Sequence, residues 1–496
     1  MGTGADAFLP ALVLCTSLVP ALVIFFLPER AARTRTAVNL AGAVAKLALV
    51  AVMLGGVAGG ALYELRLPLV PGLYLLLRVD GLALLFVTLS AFLWLLTTIY
   101  AIAYLGDGPD QSRFFGFFSL CVAATTGIAL SGSLITFFVF YELLTLSTWP
   151  LVVHRGDADS LAAGRRYLAY TLGGSNALLL GIVWLESGAG PIEFTAHGSL
   201  AGLEPGTLRA CFLLLVGGLG VKAALVPLHA WLPAAMVAPA PVSALLHAVA
   251  VVKAGAFGIV RVVFDVYGPG TVQELGLGLP LALAASATIL YGSLRALSQS
   301  DIKRRLAFST VSQVSYIALG MGLAGPAAMV GGLVHLVHQG LMKITMFFCA
   351  GAVAETLHAY RVEQLDGAGR RMPLTMLAFS VAALGMIGVP PVAGFVSKWW
   401  LGTGAALAGH PWALAVLAGS SLLNAAYFLP LLYRAWFLPP PDDGPAVPLF
   451  RREGDWGLVL PPLVTAAAAL GAGLLAAFAF SPLGWARLIV ERDYGL

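Results

Sequence analysis

The sequence predicts an all-α polytopic membrane protein of about fourteen transmembrane helices, with two inverted five-helix repeats whose helices 7 and 12 are discontinuous. Three observations predict it. The 496-residue chain is 59% hydrophobic and 10% charged, against roughly 25% charge in soluble domains, and its mean hydropathy is +0.90. Apolar windows of about 20 residues, the length that crosses hydrocarbon, recur along the whole chain. Five of the six lysines (Lys46, Lys222, Lys253, Lys343 and Lys398) fall inside those windows, whereas the arginines lie in connections or near window ends.

The windows place spans near 8–27, 37–59, 80–104, 114–131, 133–153, 167–187, 208–226, 241–264, 279–297, 306–323, 327–354, 373–401, 412–437 and 457–481. The first lacks a basic leader and a small-residue cleavage site, so it reads as a span and not a cleaved signal. The spans group into helices 1–3 (residues 1–113), a first repeat of helices 4–8 (114–264), a second of helices 9–13 (265–437) and helix 14 (438–496). With both termini extracytoplasmic, seventeen basic residues, among them Arg30, Arg35, Arg166, Arg295, Lys303, Arg304, Arg451 and Arg452, fall inside. Six, including Arg66, Arg78 and Arg261, fall outside. The positive-inside rule supports that orientation.

Short connections leave no soluble domain. No GxxxxGK[ST], CxxC or dinucleotide-binding glycine turn appears, so no cofactor and no catalytic chemistry of the chain's own is expected. Cys15, Cys121, Cys211 and Cys349 stand singly in apolar segments and read as inert core residues.

Span 7 and its sequel, GVKAALVPLHAWLPAAMVAPAPVSALLHAVAVVKAG, carry Lys222, His229, His247 and Lys253 among four prolines. Ammonium groups at bilayer depth cost roughly 2.5–3.5 kcal/mol each, and such residues mark ion pathways. Pro227 removes a backbone donor and clashes with the preceding turn, so the helix carrying Lys222 should break just after it. A second interruption, GVPPVAGFVSKWW, places Pro390, Pro391 and Gly394 beside Lys398. Two broken spans five helices apart, each with a lysine at the break, suggest two repeats, and the odd offset makes them inverted.

Arginine keeps its proton at any accessible pH, whereas a desolvated lysine can release one. A chain that anchors with arginine and buries lysine looks built to move protons. Glu142, in the span FFVFYELLTLSTW, could pair with Lys222 and gate its proton. A static packing pair is the alternative, though apolar replacements often serve stability as well. His247 and Lys253, six residues apart, would be separated by about 9 Å of rise on a continuous helix. They read as relay stations, although His247 alone also reads as a core histidine. His335 and His338 share a helical face, with Lys343 further along. With no carboxylate or cysteine nearby, a proton relay is preferred to a metal, and no metal site is expected. Lys46 lies outside both repeats and reads as a snorkelling side chain or one facing a partner. Asp301, opening the basic loop SQSDIKRRLAFSTVSQ, suits a helix N-terminus.

The segments FFVFYELLTLSTWP, VKAALVPLHAWLPAAMVAPAPVSALLHAVAVVKAG, SDIKRRLAFSTVSQVSYIALG, HQGLMKITMFFCAG and GVPPVAGFVSKWW resemble the proton-conducting, antiporter-like subunits of respiratory complex I and of Mrp-type cation/proton antiporters. The resemblance covers roughly spans 3 to 13. It implies a midmembrane hydrophilic axis lined by Glu142, Lys222, Lys253 and Lys398, with His247, His335 and His338 as intermediate stations. The short C-terminal end and lysine at 398 resemble the D-type component of Mrp antiporters or the shorter complex I subunits.

The expected function is therefore proton translocation as a subunit of an Mrp-type Na+/proton antiporter in a bacterial or archaeal inner membrane. Its expected partners are other membrane subunits and protons, with Na+ a further candidate, and no nucleic acid. The alternative with the same chemistry is a proton-pumping subunit of a complex I-like quinone oxidoreductase, membrane hydrogenase or inorganic-carbon uptake complex. A standalone solute transporter would need a selective polar pocket, and a scaffold would need the lysines to be packing relics.

Overall fold

Each of the fourteen predicted windows folds as helix. A computed structural model describes residues 6–70, 73–195, 200, 202–440, 453–493 and 495; Arg451 and Arg452 lie outside the described residues. The first helices are α1 (Leu9–Phe25), α2 (Ala32–Ala58), α3 (Gly81–Leu105), α4 (Gln111–Leu130), α5 (Leu134–Val152), α6 (Ala158–Ala189) and α7 (Pro205–Lys222). There follow α8 (Trp231–Ala234), α9 (Ala240–Ala248), α10 (Val251–Arg261), α11 (Pro269–Glu274), α12 (Gly278–Leu297), α13 (Ile302–Gly322) and α14 (Pro326–Leu357). The last are α15 (Ala368–Arg371), α16 (Pro373–Ile387), α17 (Ala393–Leu407), α18 (Trp412–Phe437), α19 (Trp456–Leu474) and α20 (Pro482–Leu488). Ten of the described helices are long and apolar enough to cross a membrane. The other spans are α1, α13 and two windows that each hold a pair of shorter helices, α9 with α10 and α16 with α17.

Helix starts follow from their capping residues. Asp80, Ser133, Asp157, Asp301 and Asp455 each accept a backbone N–H from the first turn of α3, α5, α6, α13 and α19. Each thereby satisfies a donor that the helix itself leaves unpaired. Asp301 holds the N–H of Arg304 at 2.7 Å, as its position suggested.

Three features differ from the sequence expectation. Residues between spans 2 and 3 form an antiparallel hairpin, β1 (Tyr63–Val70) with β2 (Leu73–Val79), paired from Tyr63↔Val79 to Val70↔Leu73. Its strands are too short and too apolar at the tip to stand out from neighbouring spans. Span 8 is broken as well: Ala250 adopts φ −96°, ψ −93°, separating α9 from α10. The His247–Lys253 spacing of a continuous helix therefore does not hold, and no proline or glycine marks the interruption. Finally, the second proline break runs from Gly388 to Val392, and Gly394 lies inside α17.

The core centres on α14, whose residues from Ala328 to Ala354 are all buried. It packs against α3, α9, α13, α16, α17 and α19, so it contacts both predicted repeats. His335, His338 and Lys343 lie in the middle of this buried stretch.

Candidate functional site

Lys222 is the last residue of α7. Beyond it Ala224 takes a left-handed conformation, Val226–Pro227 is a cis bond, and the helix stops. The groups released by the break find partners. Ala223 N–H donates to the Leu219 carbonyl at 2.9 Å and Leu225 N–H to that of Gly220 at 2.9 Å. Trp231 Nε1 donates to the Val221 carbonyl at 2.7 Å, and Val226 N–H to Thr288 Oγ1 at 3.0 Å. Lys222 is fully buried. Its Nζ donates to the Tyr141 carbonyl and lies 3.3 Å from the centre of the Tyr141 ring.

Glu142 is the next residue along α5, but its half-buried carboxylate accepts from Ser175 on α6. Adjacent helix residues point about 100° apart, so Glu142 turns toward α6 while the Tyr141 backbone receives Lys222. The direct Glu142–Lys222 contact considered from sequence is not made.

Lys253, in the first turn of α10, is fully buried and donates to the Leu336 carbonyl of α14 at 2.7 Å. That carbonyl follows His335. The His335 ring lies on Tyr316, with centroids 5.0 Å apart, and its Nδ1 is 2.8 Å from Ser397 Oγ, the residue before Lys398. The rings of His247 and Phe347 lie 4.6 Å apart. Among the described residues, both nitrogens of His247 and His338, Nε2 of His335 and the amide ends of Gln313 and Gln339 have no protein partner of ordinary hydrogen-bond geometry. Buried groups of this kind are usually satisfied by internal water.

A continuous set of hydrogen bonds joins Lys343 to Lys398. Lys343 Nζ donates to Ser309 Oγ at 2.7 Å, and the Tyr427 hydroxyl lies 2.9 Å from the same oxygen. Tyr427 also bonds Asn424 Oδ1, whose Nδ2 donates to the Met386 carbonyl at 3.0 Å. Lys398 donates to that same carbonyl at 3.0 Å, to Ile387 at 2.8 Å and to Ser421 Oγ at 2.8 Å. Lys398 therefore folds back from α17 onto the last carbonyls of α16, the negative end of that half-helix. Gly388, at φ +99°, leaves room for it: a Cβ there would stand 2.9 Å from Lys398 Cδ.

The structure thus gathers Lys253, His335, His338, Lys343 and Lys398 around α14, with Glu142 and Lys222 beside α5 and α6. No hydrogen bond among the described residues joins Lys222 to Lys253. Their link is packing, since Gly255 of α10 lies against the backbone of Leu219, Lys222 and Ala223. Sequence reasoning that counted only ionisable groups missed Ser309, Gln313, Ser421, Asn424 and Tyr427. A signal was present: Ser309, Gln313 and Tyr316, like Ser420, Asn424 and Tyr427, repeat at helical spacing and mark polar stripes on α13 and α18.

Lys46 neither snorkels nor faces outward. It is fully buried, donating to Ser17 Oγ of α1 at 2.8 Å and Thr126 Oγ1 of α4 at 2.6 Å, 4.8 Å from the Trp94 ring. Arg261, read as an outside arginine near the end of span 8, is also buried, and its guanidinium reaches Asp80 and Asp265 at 2.6 and 2.8 Å. Cys15, expected in the core, is exposed on α1.

Comparison with known proteins agrees with the fold. Residues 131–424 match the family described as NADH:quinone oxidoreductase/Mrp antiporter, transmembrane. The chain is 37% identical over 409 residues to NADH-quinone oxidoreductase subunit N of Desulforudis audaxviator, covering 78% of this chain and 79% of that one. Its fold superposes on a chain of the Mrp complex from Dietzia sp. DQ12-45-1b with a TM-score of 0.86 and 25% identity, covering 99% and 98% of the two chains. A chain of the archaeal membrane-bound sulfane sulfur reductase, at 24% identity and TM-score 0.84, shares the fold over 98% of this chain and 97% of its own. The chain belongs to the NADH:quinone oxidoreductase/Mrp antiporter family, as an antiporter-like membrane subunit of Mrp or complex I-like complexes.

Proposed function

We propose that this subunit translocates protons along its buried lysines within an Mrp-type monovalent cation (Na+)/proton antiporter. The observation that carries the reading is the set of hydrogen bonds linking Lys343, Ser309, Tyr427, Asn424, the Met386 carbonyl and Lys398. Buried ammonium groups held by carbonyls and hydroxyls, and not by carboxylates, can gain or lose a proton without stranding a counter-charge. In this reading Glu142, Lys222, Lys253 and Lys398 carry the proton steps, and His247, His335, His338 and Lys343 are stations between them. The Asn424 amide and the Met386 carbonyl hold positions and do not themselves pass a proton, so between Tyr427 and Lys398 the proton crosses by way of water or movement of the lysine. Other membrane subunits supply the driving force, and the arginine-rich face lies in the cytoplasm.

The test is transport by the reconstituted complex. Both Lys222→Ala and Lys222→Arg should abolish proton-coupled cation flux, because arginine keeps the charge and cannot release the proton. Wild-type flux in Lys222→Ala would reject the proposal.

One observation favours a second parent complex: the 37% identity to a quinone oxidoreductase subunit N over most of both chains. Purification of the intact complex separates the two readings. Co-purifying Fe–S and quinone-binding subunits indicate the redox-driven assembly, and their absence together with Na+-dependent proton flux indicates the antiporter.

A further inference from the structure

On the arginine-rich face, an open cavity of about 580 Å³ lies between the start of α6, the segment after the α7 break, the end of α12 and the start of α13. Arg166, Arg295 and Arg304 line it, and Asp159 supplies the carboxylate on its wall. Among the described residues none of these three guanidinium groups forms an ion pair. Arg295 is oriented by the Phe308 ring, 5.4 Å away. Three like charges around one cavity repel one another, and a single aspartate leaves two of them uncompensated. Guanidinium groups match phosphate oxygens in both charge and fork geometry.

The surroundings point to a lipid source for that phosphate. Ala163, Pro233 and Phe308 make part of the wall apolar. On the same helices, α6 and α12, Leu161, Leu294 and Leu297 are 42, 55 and 42% exposed, apolar surface on which acyl chains can lie. Basic pockets between transmembrane helices bind anionic headgroups. We propose that this cavity holds the headgroup of an anionic phospholipid, and that two phosphodiester charges match it best.

The experiment uses the purified full chain in nanodiscs, with native mass spectrometry reading retained lipid. Cardiolipin should be preferred to phosphatidylcholine. The triple change Arg166→Gln, Arg295→Gln, Arg304→Gln should weaken that preference roughly 100-fold, taking about fivefold per arginine. The corresponding triple lysine variant should keep most of it, which separates loss of charge from loss of fold. Asp159→Asn should strengthen it. Unchanged cardiolipin retention in the glutamine variant would overturn the proposal. So would displacement of the lipid by inorganic phosphate alone, or a partner-subunit segment crosslinked into the cavity in place of lipid.

Discussion

Lys398 and Asn424 meet at one oxygen: the ammonium and the side-chain amide each donate to the Met386 carbonyl, both at 3.0 Å. That atom lies in the last turn of α16 and forms the junction between the Lys343 branch and the second broken span. If the branch carries protons, Tyr427→Phe should lower proton uptake by proteoliposomes on the order of 100-fold, the scale of losing one proton-transfer group, and Asn424→Leu should lower it by removing the partner that orients the Tyr427 hydroxyl. The Tyr427→Phe protein keeps its ring packing but leaves Asn424 Oδ1 unpaired, so it should lose about 1–3 kcal/mol of stability and uptake is compared per folded protein. Wild-type uptake by both variants would mean that protons bypass this junction.

Gly255 is where α10 touches the last turn of α7. A methyl group there meets the backbone of Ala223, Leu219 and Lys222, which has no flexible end to give way. Gly255→Ala should destabilise the protein by about 1–3 kcal/mol, the usual range for overpacking, and should move Lys222 off the Tyr141 carbonyl. Thermal unfolding and transport assays together check it; an unaltered melting temperature would refute the close approach.

Lys46 gives a prediction of opposite sign. Its partners already bond their own helices, Ser17 Oγ to the Leu14 carbonyl at 3.2 Å and Thr126 Oγ1 to that of Val122 at 2.7 Å. Lys46→Met keeps the volume and removes a buried charge without orphaning either hydroxyl, so stability should hold or rise. Lys46→Ala should instead cost about 2–5 kcal/mol through the cavity it leaves. A marked loss in Lys46→Met would assign the ammonium a structural role.

The hairpin carries a pH-sensitive contact. Burial alone would push the Glu64 carboxyl up, but hydrogen bonds from Arg66 and Arg78, with their charges, hold it below its ordinary value. A depressed carboxylate stabilises the fold above its unfolded pKa of roughly 4.3, and that contribution fades as pH falls through the lower folded value. Glu64→Gln should therefore cost less than about 1 kcal/mol at neutral pH, since the pair is partly solvated. The difference from wild type should close in melts run below about pH 4.

The spans were legible because lipid requires every helix to announce itself by length and apolarity. The two proline breaks were legible because proline removes a donor wherever it stands. The break at Ala250 was not, because no proline or glycine stands between α9 and α10. Site residues split along the same line. An ammonium group in an apolar window is conspicuous. Ser309 and Asn424 gain meaning only when α13 and α18 bring their polar stripes to Lys343 and Met386, a relation set by tertiary packing.

The burial of α14 has a consequence for biogenesis. A helix with protein on every side and two histidines and a lysine in its middle is a poor passenger for bare lipid. The insertion machinery must release it against helices already in place, with α16, α17 and α19 still to be synthesised. Its early neighbours, α3, α9 and α13, therefore act as its temporary shelter. Damage to their contact faces would be felt first as failed assembly of the nascent chain, before any defect in ion movement could be measured.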